Sequence, residues 1–229
     1  MEKDVRSGTT DLRNIALFNK LSEDELKEVI PYLSRLASRK KDVIFSEGDP
    51  SDWLYIVSEG KVKITKLSME GKEIILEVIQ PADFFGVVAV LKGFPYPANA
   101  VAMEDTRLLR ISRSNLLRIL DRFPNLMYCM ALQLGERMKG SHETLKNIAL
   151  ERVESRIASL LLKLADKTGT KADGGTLIDM KLTKQDIAEM VGTTVETSIR
   201  TMSKFKKLGV VSEKNGKILI NNIEKLRSL

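Results

Sequence analysis

Two charged residues near the C-terminal end of the chain have the types and the spacing of a DNA-reading pair. Glu196 and Arg200 are four positions apart in the segment TVETSIR, so on a helix they share one face. A guanidinium can donate two hydrogen bonds to guanine O6 and N7, and a carboxylate can accept one from cytosine N4. The alternative is an ordinary ion pair on a solvated helix. The surrounding elements decide between these two interpretations.

The segment lies in the second of two predicted helices that are separated by a short turn. Thr183 caps the first helix, Gly192 supplies the turn, and Thr194 caps the second helix, which runs to about Leu208. In a helix-turn-helix the second helix lies in the major groove and its first residues meet base edges. The pattern therefore favours base reading by Val195, Glu196, Ile199 and Arg200.

The flanking segments complete a winged helix-turn-helix over residues 151–229. The run VESRIASLLLKLADKTG predicts an amphipathic helix that ends at Gly169, and a loop containing Asp173-Gly174-Gly175 follows. After the second helix, the runs VVSEK and KILIN flank Asn215-Gly216, which is a strong signal for a type I′ hairpin. Residues 151–229 also carry 15 Lys and Arg against 10 Asp and Glu, which suits an acidic polymer such as double-stranded DNA.

The N-terminal part of the chain has a different residue pattern, with short β-rich runs in place of long helical ones. Residues 17–36 predict a short helical segment, with Ser22 and Glu25 at capping-box spacing. Between residues 41 and 111, short β-rich runs such as WLYIV, KVKITKL, EIILEVI and RLLRI alternate with turn signals. This pattern predicts an antiparallel β-roll over residues 17–122, preceded by a flexible N-terminus over residues 1–16.

A long helix is predicted between these two parts, over residues 123–150, with Pro124 in its first turn. Its apolar positions repeat with alternating spacings of four and three, which is the seam of a two-stranded coiled coil. The seam indicates a homodimer, and the alternative is a helix packed only on its own domain. The seam residues are Met127, Ala131, Leu134, Met138, Ser141, Leu145 and Ile148.

The order and spacing of three motifs resemble the superfamily of the cyclic-AMP receptor protein and the fumarate–nitrate-reduction regulator (CRP/FNR). The motifs are IFSEGDPSDWLYIVSEGKVKI, EGKEIILEVIQPADFFG and LTKQDIAEMVGTTVETSIRTMSKFKKLGVV. The resemblance implies an α+β architecture with a cyclic-nucleotide-binding-like jelly roll, a central dimerisation helix and a winged helix-turn-helix. It also implies a homodimeric regulator of transcription that binds an inverted-repeat operator, with RNA polymerase and a small-molecule effector as further partners.

The resemblance places base contacts on Glu196 and Arg200. Val195 matches the fumarate–nitrate branch, which also reads Val-Glu-Thr, whereas Ile199 stands where that branch has a serine. One base contact is therefore expected to be lost or rearranged. Contacts that position the protein on phosphates without specifying sequence are expected from Thr183, Lys184, Thr194, Ser198, Lys204 and Lys217.

The sensor site lacks the polar groups that nucleotide-binding family members use. Val87 stands where they carry a glutamate for the ribose, and Tyr96 and Pro97 stand where they carry an arginine–serine pair for the phosphate. Because a buried phosphodiester needs a cation or several donors, cyclic AMP is not expected as the effector. The predicted effector pocket comprises Phe84, Phe85, Gly86, Val87, Val88, Tyr96, Pro97, Ser141 and His142.

Two other classes of effector would need cysteine or histidine ligands from the chain. An oxygen-sensing iron–sulfur cluster needs four thiolates, and Cys129 is the only cysteine in the chain. A haem-dependent sensor of nitric oxide or redox state is an open alternative, with the only histidine, His142, as its ligand. A cyclic-nucleotide-responsive regulator is the other alternative. The effector's identity is left open at this point.

Composition and the absence of certain motifs argue against two other classes of protein, membrane proteins and enzymes. The chain has no apolar run near the roughly 18 residues of a membrane span and no hydrophobic signal segment at its start, so the cytoplasm is expected and a membrane is not. One histidine and one cysteine give no protease-type or zinc constellation, and no Walker A motif is present. An enzyme is therefore not expected.

Overall fold

The computed structural model describes Leu12, Arg13, Ile15 and residues 17–229. It divides into two units between Met138 and Lys139. The flexible N-terminus predicted for residues 1–16 lies mostly outside the described residues. Leu12 and Ile15 are buried in the core of the first unit, so the prediction is wrong for these two positions.

The first unit is an antiparallel roll of two four-stranded sheets, as the sequence predicted. One sheet has the order β1-β8-β3-β6 and the other β2-β7-β4-β5. Most connections pass from one sheet to the other, so the inner faces of both sheets enclose one apolar core. The strands are β1 Ser34–Ser38, β2 Val43–Phe45, β3 Trp53–Glu59, β4 Val62–Leu67, β5 Glu73–Ile79, β6 Phe84–Phe85, β7 Asn99–Ala102 and β8 Thr106–Ser112.

The helical segment at the start of the roll is shorter than predicted. Helix α1, Glu23–Val29, begins with the expected capping box, in which the Ser22 backbone N–H donates to the Glu25 carboxylate at 2.7 Å. A 3₁₀ turn, Ile30–Tyr32, follows with a proline in it, and strand β1 begins at Ser34. Proline ends the helix because it has no N–H to donate, so the prediction of helix as far as residue 36 is wrong.

Three more helices belong wholly or partly to the first unit. The short helix α2, Val87–Lys92, follows Gly86, whose φ of 82° is a left-handed conformation that favours glycine. Helix α3, Arg113–Arg122, is capped by the Ser112 hydroxyl. The long helix α4, Asn125–Leu150, begins directly after Pro124 and matches the helix predicted over residues 123–150.

The second unit is a winged helix-turn-helix with one hairpin more than predicted. Strands β9 and β10 pair around Asp173 and Gly174, where the sequence predicted only a loop. Gly175 allows this hairpin to join the wing, because a Cβ there would lie 2.0 Å from the Ile220 carbonyl oxygen. The elements are α5 Val153–Thr168, β9 Gly169–Ala172, β10 Gly175–Ile178, α6 Lys184–Val191, α7 Val195–Lys207, β11 Val211–Lys214, β12 Lys217–Ile220 and α8 Ile223–Arg227, with the sheet order β11-β12-β10-β9.

Local signals in this unit are confirmed. Thr183 and Asp186 form a capping box, and the Thr194 side chain accepts a hydrogen bond from the Thr197 N–H. Asn215 and Gly216 both have positive φ, at 53° and 74°, as a type I′ turn requires. These caps and turns fix where α6, α7 and the wing begin.

The turn between β3 and β4 gives a test of the roll's packing. Gly60 has a φ of 82°, and a Cβ there would lie 2.5 Å from the Thr106 hydroxyl and 2.7 Å from the Asp105 carbonyl oxygen. Gly60→Ala should therefore reduce the free energy of unfolding by more than the roughly 1–2 kcal/mol that a left-handed alanine costs. Gly71→Ala is the matched control, because Gly71 has a φ of 77° and open space around it. Equal losses in chemical denaturation would contradict the close approach at Gly60.

Candidate DNA-binding face and sensor interior

Helix α7 has one buried face and one exposed face. Ser198, Thr201, Met202 and Phe205 are buried against the rest of the second unit. The opposite face carries Glu196, Ile199, Arg200, Ser203 and Lys207, which are all exposed. Because helix residues three, four and seven apart share a face, this exposed set forms one continuous stripe.

The stripe contains most of the predicted base-reading residues. Glu196, Ile199 and Arg200 are exposed, and Val195 is half-buried at the start of the helix. Within the described part of the chain, no ion pair joins Glu196 to Arg200. The carboxylate and the guanidinium are therefore both available to a partner outside the chain. Ser203 and Lys207 were missed by the sequence analysis, although they follow Arg200 by three and seven residues.

The predicted phosphate contacts have different surroundings. Thr183 and Thr194 are exposed helix caps, and Lys184 is half-buried at the first position of α6. The Lys204 ammonium lies 2.6 Å from the Glu154 carboxylate, and Lys217 pairs with Asp179. These two lysines must exchange a carboxylate for a phosphate if they are to contact DNA.

Ser198 does not belong with these residues. Its side chain is fully buried on the inner face of α7, and its hydroxyl has no hydrogen-bond partner among the residues that the structure describes. It lies two positions after Glu196, which on a helix turns it about 200° away from the exposed stripe. The prediction that Ser198 contacts phosphate is contradicted by this burial.

A carboxylate on the wing lies between two lysines of the same region. The Lys206 ammonium donates to Glu213 at 2.5 Å. This hydrogen bond, followed by the charge of Lys184, holds the pKa of Glu213 below its usual range. Lys184 at the start of α6, Lys206 on α7 and Glu213 on β11 therefore form one charge cluster.

Four aromatic rings pack together in the interior of the roll. Tyr55 and Phe85 are paired across β3 and β6 and stack with ring centroids 5.3 Å apart. Phe45, from the opposite sheet, lies 5.7 Å from Tyr55 and 5.8 Å from Phe85. The Tyr96 ring stacks on Phe45 at 3.7 Å with an interplanar angle of 9°.

Tyr96 is held by its backbone as well as by its ring. Its N–H donates to the Asp49 carbonyl at 2.9 Å, and its carbonyl accepts from the Gly48 N–H at 2.9 Å. Its hydroxyl donates to the Trp53 carbonyl at 2.5 Å and accepts from the Trp53 N–H at 3.2 Å. Only 3% of the residue is exposed. Tyr96 therefore acts as a structural part of the roll in this conformation.

Both tyrosine hydroxyls of the cluster are neutral at physiological pH. Burial is the main cause that raises the pKa of Tyr96 and of Tyr55 above the ordinary value. The four side chains of the cluster carry no charge of their own. The nearby Arg110 guanidinium, which lies 4.2 Å from the Trp53 ring centroid, opposes the rise in the pKa of Tyr55.

The other residues of the predicted pocket have different surroundings. Phe84 lies on the opposite face of β6 from Phe85, where its ring receives the Arg137 guanidinium at 5.0 Å. Gly86 remains adjacent, since a Cβ there would lie 3.1 Å from the Tyr96 ring. Val87 is buried, whereas Val88 and Pro97 are exposed. In the second unit, Ser141 and His142 are exposed on α4.

The predicted dimer seam lies largely in solvent. Met127, Met138, Leu145 and Ile148 are exposed apolar residues on α4, as are Ala131 and Ser141. Leu134 is half-buried and packs partly against the roll core. The side of α4 that packs on the roll is a different one, formed by Leu126, Cys129 and Met130. The apolar side chains of Met127, Met138, Leu145 and Ile148 are therefore exposed to solvent within the described part of the chain.

Two family models match the chain, one in each unit. The model of the cyclic nucleotide-binding domain matches residues 35–123, and the model of the Crp-like helix-turn-helix domain matches residues 155–229. The chain belongs to the CRP/FNR superfamily of transcriptional regulators.

Relatives align with this CRP/FNR regulator over most of its length. It is 29% identical to the CRP-like cAMP-activated global transcriptional regulator of Mycobacterium tuberculosis over 183 residues, which is 80% of this chain and 82% of that protein. It is 26% identical to the anaerobic regulatory protein of Bacillus subtilis over 210 residues, covering 90% and 88%. FixK2 from Bradyrhizobium japonicum has the same fold, with a TM-score of 0.76 at 22% identity, covering 86% and 96%.

Membership of the CRP/FNR superfamily explains the architecture of the chain and gives its class of function. The chain is a transcriptional regulator with a helix-turn-helix of the DNA-binding type, not an enzyme. No helix among the described residues is long and apolar enough to cross a membrane. The same residues contain no group of three His, Cys, Asp or Glu side chains that could hold a metal ion.

The burial of Ser198 generates a prediction that separates packing from DNA contact. Ser198→Ala removes a buried hydroxyl that has no partner, so the free energy of unfolding should stay equal or rise, by up to about 1–3 kcal/mol. DNA affinity and its salt dependence should not change. Thr194→Ala is the control, because it removes a cap and should cost about 1 kcal/mol. Weaker DNA binding by Ser198→Ala at unchanged stability would restore this residue to the phosphate contacts.

Proposed function

We propose that this CRP/FNR regulator binds an inverted-repeat DNA operator as a homodimer, with Glu196 and Arg200 reading bases in each half-site. The observation that carries the proposal is the exposed stripe of α7. It presents a guanidinium and a carboxylate, neither paired with the other, on the helix that enters the major groove in this fold. If these residues formed an ordinary ion pair on a solvated helix, the guanidinium and the carboxylate would bind each other.

The base preference follows from the chemistry of the stripe. Arg200 donates to guanine O6 and N7, and Glu196 accepts from a cytosine N4 in the same half-site. Val195 supplies no third charged group, and the exposed side chain of Ile199 can contact a thymine methyl. A core such as TTGA…TCAA, which is the fumarate–nitrate type, fits this set of residues.

The backbone contacts come from residues on both sides of this stripe. Thr183, Thr194 and Lys184 lie at the N-terminal ends of α6 and α7, where helix dipoles and N–H groups favour phosphate. Lys207 is exposed at the end of the stripe. Lys204 and Lys217 join them only if they leave Glu154 and Asp179. These contacts position the dimer without specifying sequence.

The dimer forms along the α4 seam. An apolar stripe such as Met127, Met138, Leu145 and Ile148 is stabilised when a second copy of the same helix covers it. A parallel pair has two-fold symmetry, so the two recognition helices meet two half-sites in opposite orientations. The seam and the inverted repeat are thus two consequences of one symmetry. We also expect the dimer to act in the cytoplasm and to contact RNA polymerase.

The sensor of this regulator does not take a cyclic nucleotide. The rings of Phe45, Tyr55, Phe85 and Tyr96 pack together between the sheets, and none of these four side chains carries a positive charge for a phosphodiester. One cysteine in the whole chain also excludes a cluster held by four thiolates of the chain. We propose that a small apolar or aromatic molecule, or no ligand, controls the roll.

In-vitro selection from random DNA duplexes tests the reader. Wild type should enrich an inverted repeat, and Arg200→Ala should cost about 1–3 kcal/mol and lose the preference at one guanine per half-site. Lys207→Ala is the matched control on the same helix face. It should weaken all sequences alike and reduce the salt slope by about one. An Arg200→Ala variant that selects the same guanine would assign base reading to another element.

Calorimetry with cyclic AMP tests the sensor. Wild type should show no saturable heat, and operator affinity should be the same with and without the nucleotide. Tyr96→Ala should reduce the free energy of unfolding by about 3–5 kcal/mol, because it leaves a cavity beside Phe45. The variant should still not bind the nucleotide, since the substitution adds no cation. Micromolar affinity of wild type that Tyr96→Ala abolishes would show that Tyr96 lines a nucleotide site.

A further inference from the structure

Among the residues that the structure describes, three lysines of α7 and the wing pair with carboxylates from other segments of the second unit. The pairs are Lys204–Glu154, Lys206–Glu213 and Lys217–Asp179. All six side chains are at least partly exposed, so a polyanion in solution can reach the lysines. Exposed ion pairs of this kind contribute little to the stability of a fold. Stability alone is therefore a weak reason for three such pairs in one region.

The first of these carboxylates, Asp179, lies between the wing and the helix-turn-helix. The antiparallel register of β10 and β12, continued by two residues, places Asp179 opposite Lys217. Its carboxylate pairs with the Lys217 ammonium, and the chain reaches Thr183, the cap of α6, four residues later. Lys217 and Thr183 are both proposed phosphate contacts. A negative charge therefore lies where DNA phosphates are expected.

The second carboxylate, Glu213, lies on the wing strand β11. It accepts a hydrogen bond from the Lys206 ammonium at 2.5 Å. This hydrogen bond, followed by the charge of Lys184, lowers the pKa of Glu213, so the carboxylate stays ionised beside both lysines. Lys184 is the first residue of α6 and another proposed phosphate contact.

The third carboxylate, Glu154, holds a lysine next to the base-reading pair. Lys204 follows Arg200 by four residues, so the two cations share one side of α7. The Lys204 ammonium lies 2.6 Å from the Glu154 carboxylate, in the first turn of α5. By contrast, Lys207 on the same helix is exposed and has no carboxylate partner in the part of the chain that the structure describes.

We propose that Asp179, Glu213 and Glu154 compete with DNA phosphates for these lysines and so lower the affinity of the regulator for every duplex. A lysine that is already paired with a carboxylate brings no net charge to the DNA, so its approach releases few counterions. A lysine that turns to a phosphate leaves a carboxylate beside the polyanion, and like charges repel. We call these three residues the competing carboxylates.

This inference rests on the DNA-binding face of the proposed function and adds residues that oppose binding. The competition concerns backbone contacts, which carry no sequence information. Removal of a competing carboxylate should therefore raise the affinity for operator and for unrelated DNA by the same factor. The ratio of the two affinities depends on the base contacts of α7 and should not change.

Salt titration of DNA binding tests the competition. Asp179→Asn keeps the shape of the side chain and removes its charge. Its affinity for a labelled duplex of mixed sequence should rise about threefold at low salt, because the lysine no longer has to leave a charged partner. The slope of log affinity against log salt should steepen by about one, and by about three when Glu213→Gln and Glu154→Gln are added. An unchanged affinity and slope in the triple variant would overturn the proposal.

Glu224→Gln is the matched control for the change in net charge. Glu224 is an exposed carboxylate of the same unit, and it pairs with Arg227 within α8. The control should leave both the affinity and the salt slope unchanged. If it raises them as much as Asp179→Asn does, the effect belongs to the total charge of the protein and local competition is wrong.

A double-mutant cycle tests whether the lysine transmits the effect. Lys217→Ala should change the salt slope little in wild type, where Asp179 holds the lysine, and should flatten it by about one in the Asp179→Asn background. Equal effects in the two backgrounds would contradict the proposal. Failure of the proposed operator is a separate result, because absence of a preference for an inverted repeat would leave these measurements on mixed-sequence DNA unaffected.

Discussion

The packing beneath α7 is the constraint on which DNA reading depends. Phe205 is fully buried and Met202 nearly so, and together they fix the rotation of the helix about its axis. Once this rotation is set, the side chains that face outward follow from helix geometry alone. Glu196 and Arg200 are turned outward, and Ser198 is turned into the core. The cap at Thr194 then sets the height at which the first base-reading residue emerges.

Apolar packing also determines which groups are accessible in the roll, with a different result. In α7, apolar packing leaves polar groups exposed at the surface, whereas in the roll it brings four aromatic rings together between the sheets. Tyr96 combines a stacked ring with two hydrogen bonds to the Trp53 backbone, so its displacement would leave polar groups unpaired. A molecule that displaced Tyr96 would have to compensate for that loss.

Features set by neighbouring residues could be predicted from the sequence, and features set by packing could not. The caps at Ser22, Thr183 and Thr194 depend on residues at most three positions away, and the sequence contains them all. Ser198 lies four and seven positions before Met202 and Phe205, so the helical period places it on their buried face. The sequence analysis missed this because serine is a polar residue that is usually exposed. The β9–β10 hairpin was missed because its strands contain glycine at positions 169 and 175, and glycine has a low β-propensity. Gly175 is needed there because a side chain would collide with Ile220 on β12. Phe84 and Phe85 were predicted to share one pocket, yet consecutive strand residues point to opposite faces.

That last pair connects the aromatic interior of the roll to α4. Phe85 contacts the aromatic interior, and Phe84, one residue away on the same two-residue strand, contacts Arg137 on α4. Arg137 also pairs with Glu77 on the edge strand β5. Phe84 and Arg137 therefore link the aromatic interior of the roll to the first half of α4 and to one edge of the sheet, through contacts that all lie within the first unit.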